Sequence, residues 1–562
     1  MPVFDAVVIG SGAGAGPVIY ELARAGFRVA VLEKGPWFRT ADFRKDELVA
    51  TRRDVYFPNL EKEFHVLSFT RNGRKKSVTT YEWNWSFWNG NMAGGATNIM
   101  SGYFQRMKPQ DFKLLSTYGE IPGANITDWP VDYAEMEPYY TKVEKLIGVS
   151  GRVVAHRFQE PRSTPDFPFP PLRENIVASF IDRAAKELGY EVIPTPRAIL
   201  SQDRDERKAC YYSNYCGSYG CASDAKGSAR VALLRDALKT GNVTFITNAH
   251  VYRLETDGHF RVKKARFITA DGKKYAVEGK IFVVAAQAVE SVRLLLLSKN
   301  KEFPEGLANN NGLVGKNILF SAGGIGEGEI RLDDYDEKTA AAIRQPGLFI
   351  NRTLQSFYEW EDPETGKKQK GGIVDFLFEH ANPVPRAIKQ KRDGDRLVYG
   401  RELKQRIYRY FTGVRTLKFE IFTDWLPHDG GFVSLDKRHK DFRGFPVANI
   451  HIDAHPAQIR PGRFLARHAE QLLRQMGLHH IRSNVNDWPP SNLQAGGIRF
   501  GNDPRTSVLN KWCQAHEVEN LFVTDGSFMP TGGSVPYTWT IYANSFRVAD
   551  YIKREFAYLK RQ

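Results

Sequence analysis

Apolar positions cluster at the start of the chain. Residues 4–9 form a short apolar run, 10–16 are glycine-rich, 17–25 have helical spacing that Gly26 ends, and 28–32 form a second apolar run closing on Glu33. A period that switches from short run to helix to short run predicts a strand–turn–helix–strand unit. Similar patterning returns over 243–296, with a short run at 243–246 and then IFVVAAQAVESVRLLLL. It returns again near the end, as a strand at 521–524 and a helix from about Thr538. Between these stretches, 129–147 reads as a helix after Pro130, and the Pro-rich 161–172 as a linker. Residues 320–485 alternate strands with long polar loops and turn at Asp429-Gly430-Gly431. There is no internal repeat or low-complexity block.

Composition narrows the class. Of 562 residues, 42% are hydrophobic and 25% charged, the mix of a globular chain. The longest apolar stretches, such as 281–286, fall short of the ~20 residues of a membrane helix. MPVFDAVVIGSG leads directly into a strand and a glycine turn, so no secretory signal is expected. The 79 basic residues outnumber 64 acidic ones, a net charge of +15, which suits an acidic partner or an anionic surface. Without a zinc-finger, RNP or helix-turn-helix pattern, nucleic acid is not expected. Four cysteines exclude a disulfide scaffold, yet three of them fall within twelve positions.

Gly10-Ser11-Gly12-Ala13-Gly14-Ala15 matches the dinucleotide pattern G-x-G-x-x-G/A. The first Gly permits the tight turn, the second admits pyrophosphate to the backbone, and the small residue at the end lets helix and sheet pack closely. A strand precedes it, a helix follows, and Glu33 stands where a ribose hydroxyl would be bound. With three further stretches the chain resembles the glucose–methanol–choline (GMC) flavoprotein oxidoreductases over most of its length. These are WNGNMAGGATNIMSGYFQRMKPQDF, VVAAQAVESVRLLLLS, and the tail from GGIRFGNDPRTSVLNKW through TIYANSFRVADYI. The resemblance implies FAD, with Gly94, Gly95 and Asn98 toward the flavin, Val251 at the adenine and Asp525 as the acidic FAD contact. It implies an α/β fold in which a discontinuous FAD-binding Rossmann-like domain (1–150, 226–320 and 491–562) is interleaved with a substrate domain containing an antiparallel sheet (321–490). A linker and cysteine loop would occupy 151–225.

Within that family the chain is similar to large subunits of bacterial gluconate, fructose and glucose dehydrogenases. The implied activity is FAD-dependent oxidation of a sugar, sugar acid or related alcohol. A small subunit and a cytochrome c or quinone acceptor are the implied partners, with the membrane reached only through a partner. The location would be periplasmic by way of that partner, or cytoplasmic. Cys210-x5-Cys216-x4-Cys221 puts three thiols on one glycine-containing loop, a spacing that suits a soft metal centre. By the same resemblance the centre is a [3Fe–4S] cluster, three unliganded thiols or one disulfide being the alternative.

The family pattern fails at the catalytic base. A general base must titrate near neutrality within reach of the substrate hydroxyl. Leu493 stands where the family has histidine, and the second family position falls on Pro536. A one-residue shift brings in Asn492, Gln494 or Tyr537. The inserted domain offers His451, His455, His479 and His480, of which His455 is preferred. The third option is different chemistry, lyase-like or purely electron-transferring. Nine basic residues over 386–409 form a docking patch for an acidic cytochrome or a membrane, or a solvated helix face. Trp83, Trp85 and Trp88 alternate with a strand-like period and wall the flavin or pack the core.

Overall fold

A computed structural model describes residues 3–48, 56, 58–71, 73–85, 89–363, 366–485, 487–490 and 492–561. Its first sheet is gathered from three remote stretches of chain. Strands Val243–Ile246, Val29–Leu32, Phe4–Ile9 and Lys274–Val284 lie side by side in that order, all parallel. Lys274–Val284 changes partner along its length. Residues 274–278 pair antiparallel with Val262–Ile268, and 282–284 pair parallel with Leu521–Val523. Every residue of Phe4–Ile9 and Val29–Leu32 is buried, as expected for parallel strands covered on both faces. Helix Gly16–Arg24 covers the sheet and packs against Thr538–Glu555, which in turn meets Tyr133–Val143.

The second sheet is antiparallel throughout. Its order is His479–Asn484, Ser321–Arg331, Val414–Asp424, Gly372–Phe378, Phe349–Leu354 and Val192–Pro194. Successive side chains of a strand point to opposite faces. In Val414–Asp424, Leu417, Phe419 and Ile421 therefore share one apolar layer with helices Val177–Leu188 and Ile459–Gln475. Leu465, Leu472 and Leu473 of the second helix are fully buried there, each contributing about 2 kcal/mol by removal from water. Glu420 and Phe422 point the other way, toward the first sheet. A third sheet joins Phe432–Lys440, Pro446–His451, Val66–Arg71 and Arg74–Thr79.

Some elements differ from the sequence pattern. The helix expected over 129–147 starts at Tyr133, because Asp132 caps it by accepting the Glu135 N–H at 2.9 Å; it passes through Pro138 and ends in a wider turn at Glu144–Gly148. Trp83 and Trp85 sit in a turn, not a strand, with Asn84 left-handed at φ 50°. Trp85 packs in the core against Phe320 and Trp488, whereas Trp83 leans on Phe69 and Trp488 and stays exposed. Trp88 lies outside the described residues. The basic stretch forms helices Pro383–Lys389 and Gly400–Gly413, joined by a short hairpin and devoid of buried residues. Among the described residues no helix is long and apolar enough to cross a membrane.

Candidate active site

A cavity of about 530 Å³ runs between the two sheets, within the ~300–1,000 Å³ usual for ligand sites. One end begins at the first glycine turn. Gly10 sits at φ +93°, and a Cβ there would strike the Ala285 carbonyl, so only glycine fits. Gly10, Gly12, Ala13 and Gly14 line the cavity, as do Glu33, Val251 and Asp525. A Cβ built at Gly95 would come within 3.2 Å of the Gly12 Cα, so the two glycine loops abut, and the open space is the cavity they line. That space, at the N-terminus of helix Gly16–Arg24, suits a pyrophosphate.

The loops are wired together. The Gly94 N–H donates to Ser11 Oγ at 2.9 Å, and that hydroxyl donates to Glu33 Oε2 at 2.5 Å. Gly35 N–H supplies Glu33 Oε1 at 2.8 Å. Burial pushes the Glu33 carboxyl up to about 7, although both hydrogen bonds oppose it. Asp525 is held by Gln287 N–H, Ser291 Oγ and Ser527, and burial again raises it against those donors. Three of the expected cofactor residues stand behind the wall. Ala15 is fully buried against the sheet, and Gly94 forms the turn. Asn98 donates to the Ala93 and Gly95 carbonyls at 2.9 and 3.0 Å and accepts from Arg230 Nε at 3.2 Å.

The opposite end is polar and made of distant segments. Asn492, Leu493, Gln494, Pro536 and Tyr537 line it. Gln494 accepts from Gln287 Nε2 at 2.7 Å, and Tyr537 donates its hydroxyl to the Phe320 carbonyl at 2.7 Å. Burial, with Asp424 nearby, raises the Tyr537 hydroxyl well above its ordinary range, so it does not ionise. The inserted-domain histidines are elsewhere. His455 is half-buried, accepts the Ala457 N–H and touches the Pro122 carbonyl at 3.0 Å. His451 stacks on Phe432 at 3.9 Å, His479 pairs with Asp334, and His480 lies near Arg331. None of the four lines the cavity.

Sequence reasoning missed Tyr103, His380, Asn382, Glu420 and Phe422, which complete this end. The strand period carried the signal for two of them. In VRTLKFEIFTD the positions of Glu420 and Phe422 alternate with Leu417, Phe419 and Ile421 and must face away from that apolar layer.

The cysteine loop adjoins the same cavity. Ser218 lines it, and Gly217 packs against His380 and Ser101. Cys216 and Cys210 line a second cavity of about 400 Å³ with Tyr212 and Phe349. All three loop cysteines are unpaired and half-buried in one apolar nest with Leu200 and Ala225. Cys221 accepts the Lys226 N–H at 3.5 Å. Burial would raise its thiol, but the Lys226 ammonium and neighbouring hydrogen bonds outweigh this and lower it. Cys210 is pushed up to about 12 by burial and the neighbouring cysteines. Among the described residues no three His, Cys, Asp or Glu side chains are placed to hold a metal ion. Cys221 does not line the second cavity, so the three thiols share one apolar nest but not one open space. Asp224 then ties the loop to the flavin side by accepting from Arg230 at 2.6 Å.

Known proteins are similar to the chain along most of its length. Family models described as GMC oxidoreductase match residues 171–320 and 427–545. The chain is 28% identical to 2-methyl-1,2-propanediol dehydrogenase of Mycolicibacterium austroafricanum, over 98% of this chain and 96% of that one. It is 27% identical to the fructose dehydrogenase large subunit of Gluconobacter japonicus, over 98% and 97%. In fold it is similar to pyridoxine 4-oxidase from Mesorbium loti, with a TM-score of 0.60 at 17% identity and coverage of 98% and 99%. The two family matches take in Val251 at one end of the cavity and Asp525 and Tyr537 beyond it, and relatives align along nearly the whole chain. The protein belongs to the GMC oxidoreductase family.

Proposed function

We propose that the protein is an FAD-dependent dehydrogenase that oxidises a hydroxyl-bearing carbon of a polyol, sugar or related alcohol. The observation that carries this is one continuous cavity, with a dinucleotide-type glycine wall at one end and a polar, hydrogen-bonding chamber at the other. Relatives named as a diol dehydrogenase and a fructose dehydrogenase support the substrate class. FAD bound here would supply the two-electron acceptor for a hydride. The backbone of Gly10–Gly14 would receive the pyrophosphate at the helix N-terminus, and Glu33 would accept from ribose hydroxyls. Val251 would pack on the adenine. Asp525 would hold the first loop against the C-terminal segment. Tyr103, Asn382 and Gln494 would orient the substrate and, with Phe422 and Leu493, exclude water.

A [3Fe–4S] cluster held by Cys210, Cys216 and Cys221 would supply a one-electron exit, which is why a dehydrogenase is favoured over an oxidase. Residues 216–218 support this reading, since they form the partition between the two cavities. The cationic helices Pro383–Lys389 and Gly400–Gly413 would dock an acidic acceptor such as a cytochrome. One observation favours a second reading, a flavoprotein that oxidises no alcohol: Leu493 occupies the wall where the family has its base.

An absorption and EPR spectrum of anaerobically purified protein, followed by a polyol, sugar and sugar-acid panel, tests these readings. Flavin bands bleached by one substrate establish the dehydrogenase. Absence of bleaching by the whole panel favours the second reading. A three-iron EPR signal lost in Cys216→Ser establishes the cluster, and iron-free protein removes it.

A further inference from the structure

The proposed reaction must place the hydroxyl proton of the substrate somewhere. The positions that serve this purpose in the family hold Leu493 and Pro536, which cannot take it. Of the titratable side chains lining the cavity, Glu33 is engaged by Ser11 and Gly35, Lys34 by Glu63, Glu290 by His65 and Asp525 by Ser291, and His250 stacks on Phe445; the others are Tyr103, His380, Glu420 and Tyr537. Tyr537 is occupied as a donor to the Phe320 carbonyl. Tyr103 is buried and held far above neutrality by that burial. His380 is pushed down to about 4 by burial and by Lys418 and Lys226, which makes it a weak base. Glu420 remains.

The surroundings of Glu420 are built for a carboxylate. It lies half-buried on strand Val414–Asp424 and lines the cavity. Directly across the ladder is Asp375, fully buried, which accepts from Gln105 Nε2 at 2.9 and 3.1 Å and from Thr353 Oγ1. The Arg197 guanidinium, also buried, is clamped between the rings of Tyr103 and Phe349 at 3.9 and 3.8 Å and donates to Asn351 at 3.0 Å. The charged and titratable groups acting on Glu420 are therefore Arg197 and Tyr103 from the segments beside it, Lys418 on its own strand and Asp375 opposite. Burial raises its carboxyl, while Tyr103, Arg197 and Lys418 draw it back. A carboxyl that burial makes a stronger proton acceptor, at the wall of the cavity, suits a general base better than an exposed one.

Resting on the alcohol-oxidation reading, we propose that Glu420 is the catalytic base of this enzyme, with Arg197 and Asp375 as the residues that position it. The substrate O–H bond breaks as its proton passes to a Glu420 oxygen. FAD held at the glycine wall would supply the acceptor for the hydride and its two electrons as the carbinol C–H bond breaks and the carbon–oxygen bond becomes a carbonyl. The proton leaves Glu420 for solvent when the product departs.

Glu420→Gln in the flavin-loaded protein tests this by rapid mixing across a pH series. The wild-type rate of flavin bleaching by substrate is expected to rise with pH through one ionisation. The variant should be slower by about 10²–10⁴-fold and have lost that limb. Glu420→Asp should return part of the rate together with the pH limb. Two further readouts do not depend on turnover. A carboxyl infrared band that titrates in oxidised wild type should be missing from the variant, whereas flavin content and bleaching by dithionite should be unchanged. Equal rates and equal pH profiles in wild type and Glu420→Gln overturn the proposal alone. A wild type bleached by dithionite but by no hydroxyl compound overturns the alcohol-oxidation reading and the proposal together.

Discussion

At the glycine end of the cavity, strand Phe4–Ile9, the turn and helix Gly16–Arg24 follow one another without interruption. At the polar end, Tyr103 arrives from a segment far upstream of those that bring His380 and Glu420. The first end is shaped by backbone, the second by side chains projected from sheet faces. The two should therefore fail differently. At the glycine end an added methyl should do more harm than a lost charge. At the polar end a lost charge should do the most harm.

The largest effect is expected from Gly14→Val. A Cβ at Gly14 would lie 2.6 Å from the Thr524 carbonyl and 2.7 Å from the Asp525 backbone, neither of which can yield. Thr524 and Ser545 also donate to the Gly14 carbonyl at 2.7 and 2.6 Å, fixing three segments at one point. The variant should purify without flavin or not fold, as read by the ratio of flavin to protein absorbance. Retention of a full complement of flavin would break the comparison at its strongest point.

Arg197→Met should come next. Removing the cation from a buried cluster that also contains Asp375 and Glu420 costs about 3–5 kcal/mol at neutral pH. The loss should shrink in acid, where the carboxyls are protonated. Denaturant melts at two pH values check both parts.

Asp375 supplies a milder and signed version of the same test. Its carboxyl is raised to about 7, chiefly by burial, against ~3.9 in an unfolded chain. Between these values the folded state keeps a proton that the unfolded state releases, so stability falls as pH rises through the window. By neutral pH this amounts to on the order of 3 kcal/mol. Asp375→Asn should flatten the decline, so its melting temperature should gain on wild type as pH rises from about 4 to 7.

The contrast between the ends also explains what could be read from the sequence. Gly10 through Glu33 were legible because the chemistry sits in consecutive residues and the turn admits few residue types. The three-part sheet was legible from recurring short apolar runs. His455 was favoured because a histidine in the inserted domain was the expected replacement base. Its place was set instead by local capping at Ala457 and by contact with Pro122, and no periodicity reports such contacts. Glu420 was overlooked because strand pairing, with Asp375 opposite, gives it its environment. Asp224 and Arg230 are near neighbours in the chain, and they were missed because Asn98, which they brace, lies in a remote segment.

Glu33→Gln sharpens the comparison from the other side. Losing a charged acceptor for ribose hydroxyls should weaken flavin binding by roughly 10–100-fold, with the fold intact. Because burial places the Glu33 carboxyl near 7, wild-type flavin affinity should fall as pH drops below neutrality, and the variant should show no such dependence. Flavin fluorescence titrations at several pH values measure both effects. A charge lost here should thus cost less than one lost at Arg197.

The smallest effect is expected at Leu493, where the two kinds of construction meet. Its backbone is left-handed at φ 58°, a region that costs a branched L-residue roughly 1–2 kcal/mol and that Asn and His tolerate better. Leu493→Asn should therefore stabilise by about 0.5–1 kcal/mol, visible as a modest rise in melting temperature. Leu493→His asks more of the same position, since its side chain lines the cavity. In wild type it should change flavin bleaching little, because Glu420 already receives the proton. In a Glu420→Gln background it should return about tenfold of the lost rate, with a new pH limb in the range of histidine. If the double variant stays as slow as Glu420→Gln, proton transfer at this end depends on the Glu420 face of the cavity. If Leu493→His by itself accelerates wild type, the base was never at Glu420.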